Sequence, residues 1–200
     1  MLEKIQNLGD GLGHFIIPEL ISDGVIIDGG ANLGNFISKI RQCDITSKIF
    51  AIEPGKQNFQ KLIASKFDNV EFCNKALVSL KSEKEKIIFT EIEDLPEWGG
   101  VKDLYSKNQR VINSKKNKYC VEPITLFDIL KSYPRIDYLK MDIEGCETDI
   151  IFEITKELAK QILQISFEVH NNDGEILKSH LESLGYTSIF KEGEVYGCLV

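Results

Sequence analysis

The stretch YLKMDIEGCETD, Tyr138 to Asp149, delivers Lys140, Asp142, Glu144 and Glu147 at the end of an apolar run. Strand alternation sets Lys140 and Asp142 on one face and Met141 on the other, and Gly145 then turns the chain. Unpaired charges inside a central strand carry a severe desolvation cost, so these groups are expected at its open end, facing a partner or one another. QISFEVH repeats the device, with Ser166, Glu168 and His170 alternating with Ile165, Phe167 and Val169. If the two strands are neighbours, Asp142, Glu144, Glu168 and His170 share one crevice and are the candidate catalytic residues. Such a crevice suits an in-line displacement in which a positioned base removes a hydroxyl proton as charge develops. His170 has the most suitable ordinary pKa for that base. The same oxygen-rich set with one imidazole also suits a divalent ion, although no metal site is assigned. Glu147 reads as a first-turn acid complementing a helix dipole, and His14 and His180 as structural or exposed.

A second pattern, VIIDGGANLGNF from Val25 to Phe36, reads as a buried strand breaking into a tight loop and then a helix. Glycines there let a ligand touch the backbone, and the first amides of the helix remain free to donate. A dinucleotide fingerprint would need glycine at position 31, which is Ala, and Asp28 at the loop's mouth would repel a pyrophosphate. S-adenosylmethionine has a sulfonium and an amino group and no phosphate, so Asp28-x-Gly30-x-x-x-Gly34 suits it better. Glu53 ends the next strand, KIFAIE, 19 residues after Gly34, where an acid accepts from both hydroxyls of an adenosine ribose. CNKAL, Cys73 to Leu77, follows the third strand, where an adenine ring would be sandwiched with Asn74 in reach of its edge. Asn74 and Ala76 therefore join Asp28, Gly30, Asn32, Gly34 and Glu53 as cofactor-binding candidates. In this crevice Asp142 is expected nearer than His170 to the cofactor's amino-acid part, which it would bind instead of acting as the base.

These residues need a scaffold, and the chain supplies one. Short runs rich in β-branched or aromatic residues (GVIIDG, SKIFAIEP, NVEFCN, RIDYLKMDI, QILQISFEVH) alternate with helical spacing in NFISKIRQ, KQNFQKLIASKF, ITLFDILKSYP and GEILKSHLESLG. That alternation predicts an α/β domain with a mostly parallel sheet flanked by helices, whose ligands bind beyond the carboxyl ends of the strands. YTSIF and VYGCLV are expected to form an antiparallel pair at one edge. Residues 1–200 read as a single domain, with an insertion or lid at about 82–121 in which KIIFT and YCVEPI are able to pair as strands. Within it Trp98 offers an aromatic platform to a sugar.

A net charge of -7 disfavours a nucleic-acid backbone as partner, leaving a small-molecule or glycan acceptor. No apolar run approaches the roughly 20 residues that cross a bilayer. Five scattered cysteines without a CxxC pair, and an N-terminus lacking the pattern of a signal peptide, place the protein in the cytoplasm.

IDGGANLGNF, AIEPGKQNFQKL and IDYLKMDIEGCETDI, with NKAL between the second and third and SFEVH after them, resemble the FkbM family of S-adenosylmethionine-dependent methyltransferases in the family's own order. Lys-x-Asp-x-Glu-Gly-x-Glu, Lys140 to Glu147, is its most specific mark. The resemblance runs from Asp23 to His170, with LESLGY as a continuation. It implies a Rossmann-like, seven-stranded sheet flanked by helices and O-methylation of a saccharide or similar hydroxyl-bearing metabolite. By the same likeness Asp28, Gly30, Asn32, Gly34 and Glu53 would bind the cofactor, and Asp142 and Glu144 would line the reactive crevice. Gly29 replaces a more usual aliphatic residue, and Gly55-Lys56 follows Glu53-Pro54 where a second proline is frequent; neither change removes a chemical group. Two other readings stand beside this one: an NAD-dependent oxidoreductase, and a protein that binds S-adenosylmethionine without turning it over.

Overall fold

The computed structural model describes residues 6–8, 14–22, 24–43, 45–82, 86–95, 98–102, 108–169, 173–186, 188–192 and 195–199. Its first elements, β1 (Gln6–Asn7) and β2 (Phe15–Ile16), are a two-residue antiparallel pair. So short a pair is held by its surroundings: the Tyr138 hydroxyl donates to the Phe15 carbonyl at 2.8 Å, and the Gln164 side chain accepts the Ile17 N–H at 2.8 Å.

Strands and helices then alternate through β3 (Val25–Gly29), α1 (Asn35–Gln42), β4 (Ile49–Ile52), α2 (Lys56–Ala64) and β5 (Val70–Cys73). β3 and β4 are buried along their whole length, as expected of parallel strands covered on both faces. Helix α1 turns Phe36, Ile37 and Ile40 inward, the apolar stripe read in NFISKIRQ. After β6 (Ala76–Val78) come β7 (Ile88–Ile92), α3 (Gln109–Asn113) and β8 (Lys116–Cys120). β7 and β8 pair antiparallel from Ile88 opposite Cys120 to Ile92 opposite Lys116. They dock on α2, whose first turn has no side-chain cap of its own. The Tyr119 hydroxyl accepts the Lys56 N–H at 2.8 Å and the Glu91 carboxylate accepts the Gln57 N–H at 3.0 Å, satisfying two orphan donors.

β9 (Pro123–Thr125) runs parallel to β6 and leads into α4 (Leu126–Ser132), opened by a reciprocal capping box between Thr125 and Asp128. There follow β10 (Ile136–Met141), α5 (Glu147–Glu153), α6 (Lys156–Ala159), β11 (Gln164–Glu168) and α7 (Gly174–Leu184), the last closed by left-handed Gly185. β12 (Ser188–Glu192) and β13 (Val195–Leu199) form the expected antiparallel pair.

The main sheet has the order β12-β13-β11-β10-β3-β4-β5. Its five central and distal strands, β11 to β5 in that order, are parallel, and two antiparallel strands complete the seven. Apolar side chains fill both faces, with Ile27, Leu139 and Phe167 on one side and Ile26, Ile49 and Tyr138 on the other. No helix among the described residues is long and apolar enough to cross a membrane.

Candidate active site

The two central strands, β3 and β10, end side by side, with Lys140 opposite Asp28 and Met141 opposite Gly29. Their loops pack so tightly that a Cβ on Gly30 would lie 1.8 Å from the Asp142 carbonyl oxygen, and Gly30 itself has φ +74°. Only glycine meets both conditions. Asn32 follows at φ 49°, and its N–H points to the end of β4, where Glu53 Oε2 accepts it at 2.8 Å. Glu53 Oε1 accepts the Gly55 N–H at 2.7 Å. Each carboxylate oxygen thus holds one backbone donor and keeps a lone pair for a ligand. Burial pushes the Glu53 carboxyl up to about 7, against the opposing pull of those two N–H groups and of Lys140. Asn74 ties the ends of β4 and β5 together by donating to the Glu53 carbonyl at 2.8 Å.

Asp28 lies elsewhere than the sequence pattern suggests. Instead of standing at the loop's mouth it is fully buried within β3, with Lys140 Nζ 3.0 Å from Oδ1. Lys140, expected at the open end of its strand, is 4% exposed, and its ammonium also donates to the Gly30 carbonyl at 2.8 Å. Burial works to lower the Lys140 pKa, but the neighbouring Asp28 and Asp142 charges override it and hold the ammonium above its ordinary range. Lys140 and Asp28 therefore form an internal pair that fixes the glycine loop from beneath. Each fell in register on adjacent apolar strands, and that matched position is the signal that finds the pair.

Asp142, Glu144 and Glu168 come together as expected. β10 and β11 are parallel neighbours, with Lys140 opposite Ser166 and Met141 opposite Phe167, which carries Asp142 and Glu168 to the same edge. Glu144 sits at φ 60°, an uncommon conformation for a residue with a Cβ. Glu147 is 2% exposed and closes the turn, accepting the Ile143 N–H at 2.7 Å and the Gly145 N–H at 2.8 Å. That is a more specific task than complementing a dipole. The candidate base His170 lies outside the described residues.

His14, read from sequence as structural or exposed, is 6% exposed and reaches this crevice from the β1–β2 pair. Its Nδ1 lies 2.8 Å from Ser166 Oγ and its Nε2 4.0 Å from Asp142 Oδ2. Burial acts to raise the Asp142 pKa, yet His14, Lys140 and Glu168 together hold the carboxyl well below the usual carboxylate range. Two-residue strands carry no readable periodicity, which is why nothing in the sequence linked His14 to Asp142.

All of this surrounds one cavity of about 400 Å³. Among the candidates, Gly30, Asn32, Glu53, Ala76, Asp142, Glu144 and Glu168 border it. Asp28, Gly34 and Asn74 do not; they support bordering residues from behind. The segment between β6 and β9 contributes Phe89, Trp98 and Gly99, and α1 and α2 add Phe36 and Asn58, neither singled out by the sequence. Among the described residues no group of three or more His, Cys, Asp or Glu is placed to hold a metal ion.

Comparison with known proteins completes the description. Sequences of the methyltransferase FkbM domain match residues 28–188. No curated protein matches the chain. A methyltransferase FkbM from Methylobacillus flagellatus KT superposes with a TM-score of 0.51 at 13% identity, over 88% of this chain and 43% of that one. At that identity the likeness is one of fold, and this chain spans less than half the length of its neighbour. A precorrin-6y C5,15-methyltransferase from Geobacter metallireducens GS-15 gives 0.48 at 15% identity, over 90% of this chain and 80% of that one.

Proposed function

Since the chain belongs to the FkbM methyltransferase family, we propose that it is a cytoplasmic O-methyltransferase moving a methyl group from S-adenosylmethionine to a hydroxyl of a saccharide or similar small metabolite. The observation that carries this reading is the Glu53 carboxylate. It is held by two backbone N–H groups at the end of β4, and each oxygen keeps a lone pair beside the cavity. Two acceptors on one fixed carboxylate match the vicinal hydroxyls of a ribose.

The remaining groups fit the same cofactor. Gly30, Ala31 and Ala76 leave room along the wall beside Glu53. The rim carries Asp142, Glu144 and Glu168, whereas Lys140 is already paired with Asp28 and the Gly30 carbonyl. A cavity with that balance favours a cation and disfavours a pyrophosphate, which argues against a dinucleotide. When bound, the cofactor would supply an electrophilic methyl group on its sulfonium. Glu53 would grip the ribose, and the acids at the ends of β10 and β11 would face the amino-acid part and the acceptor. Trp98, half-buried at the cavity edge, would give a sugar ring an apolar face to stack on, and Phe89 borders the same cavity.

Calorimetry with S-adenosylhomocysteine and with NAD tests the cofactor. Binding of the first and not the second is expected, and the reverse would overturn the proposal. Release of S-adenosylhomocysteine from S-adenosylmethionine across a panel of mono- and oligosaccharides separates an enzyme from a protein that only binds the cofactor.

A further inference from the structure

The geometry points to His14 as the base that takes the acceptor's hydroxyl proton, an assignment that rests on the methyl-transfer reading above. His14 lies outside the segment matched by the family, residues 28–188. It is nonetheless built into the cavity. Three contacts fix its segment on the sheet: Tyr138 to the Phe15 carbonyl, Gln164 to Ile17, and Ser166 Oγ to Nδ1 of the ring itself at 2.8 Å. Phe36 meets the ring edge-on, with centroids 6.1 Å apart. With Nδ1 engaged, Nε2 is the nitrogen left on the side of Asp142, whose Oδ2 is 4.0 Å away, and both residues border the cavity.

The division of labour follows from charge. Asp142 keeps its carboxylate ionised, which makes it a weak proton acceptor and a good counter-ion for an imidazolium. Lys140 stands 4.0 Å behind Asp142, Glu168 faces it from β11, and Lys39 borders the cavity from α1, so among the described residues His14 supplies the imidazole at the cavity wall. In the transfer, the acceptor's O–H bond breaks and its proton moves to Nε2. The oxygen's electron pair forms the new C–O bond while the S–CH₃ bond breaks with its pair on sulfur. Asp142 then faces a protonated ring held by Ser166.

Two measurements test this. In the first, Asp142→Asn should lower kcat for S-adenosylhomocysteine formation by about tenfold or more, since the counter-ion facing the protonated ring is removed. An unchanged kcat would overturn the pairing. In the second, His14→Gln should lower kcat for S-adenosylhomocysteine formation on the saccharide panel by about 100-fold or more. The calorimetric Kd for S-adenosylhomocysteine should stay within about threefold, since His14 is assigned no part in holding the cofactor. Ser166→Ala, which frees the ring without removing it, should lose roughly tenfold in kcat. A parent that does not bind S-adenosylhomocysteine sinks the methyltransferase reading and the base with it. A parent that binds and turns over at the same rate as His14→Gln sinks the base alone.

Discussion

Glu53→Gln separates the electrostatic role of Glu53 from its place in the backbone. In the folded protein burial raises this carboxyl from 4.5 to about 7, so the folded state binds its proton more tightly than the unfolded chain does. Between those two values the native state carries more protons, and the free energy of unfolding must fall as pH rises. The difference is worth about 3 kcal/mol, fully present as a penalty above pH 7 and absent below pH 4.5. Glutamine is neutral throughout and escapes that penalty. It also turns an amide NH₂ toward either the Asn32 or the Gly55 N–H, at a cost of about 1 to 3 kcal/mol that does not vary with pH. The absolute effect of the substitution is therefore a difference of two similar terms, whereas its pH dependence is not. Urea denaturation of parent and variant without cofactor, at pH 5 and pH 8.5, should show the variant gaining about 3 kcal/mol relative to the parent at the higher pH. Equal differences at both pH values would refute the buried, proton-holding carboxyl. For the same reason S-adenosylhomocysteine should bind the parent more tightly at pH 8 than at pH 6 and release a proton as it binds, since ribose hydroxyls donate to the ionised form. The variant should lose both the trend and about 1 to 3 kcal/mol of affinity by calorimetry.

Lys140→Met leaves Asp28 buried without its ammonium and should cost about 3 to 5 kcal/mol in denaturant unfolding; adding Asp28→Leu should recover much of that loss, and a double variant as unstable as the single would contradict the pairing. Glu144→Gly relieves the left-handed strain at φ 60° and should raise stability by about 1 kcal/mol while slowing turnover, so a thermal shift in the other direction would show that the side chain anchors the loop. Trp98→Ala should raise the acceptor KM about tenfold or more with the Kd of S-adenosylhomocysteine unchanged, and equal kinetic constants would remove Trp98 from the acceptor subsite.

Much of the fold was legible because each element wrote its pattern locally. The limits of α1 at Asn35 and Gln42 follow from Gly34 and an apolar stripe, Gly185 closes α7 as read, and KIIFT meets YCVEPI where Ile88 and Phe89 pair with Cys120 and Tyr119, although β8 begins earlier, at Lys116. Of the site, the strand-end acids were legible, since Asp142 and Glu168 are delivered by neighbouring strands of matching phase. Asp28 was misplaced because a charge next to a glycine loop looks solvent-facing until a partner across the ladder is known, and Lys140 is 112 residues away in sequence. His14 was missed for a related reason. Its position depends on Tyr138, Gln164 and Ser166, each far along the chain, and on strands too short to show a period. Contacts of long sequence separation between single polar side chains leave no trace in a local window.

The hold of β7 and β8 on α2 bears on any attempt to re-engineer this wall of the cavity. Tyr119 and Glu91 stand in for the cap that Gly55 cannot provide, two residues downstream of Glu53. Swapping this segment for a relative's loop would strip acceptors from a helix end beside Glu53, so a chimera would disturb the setting of that carboxylate before it showed any change in what the cavity accepts. A transplant would have to carry that tyrosine and that glutamate with it.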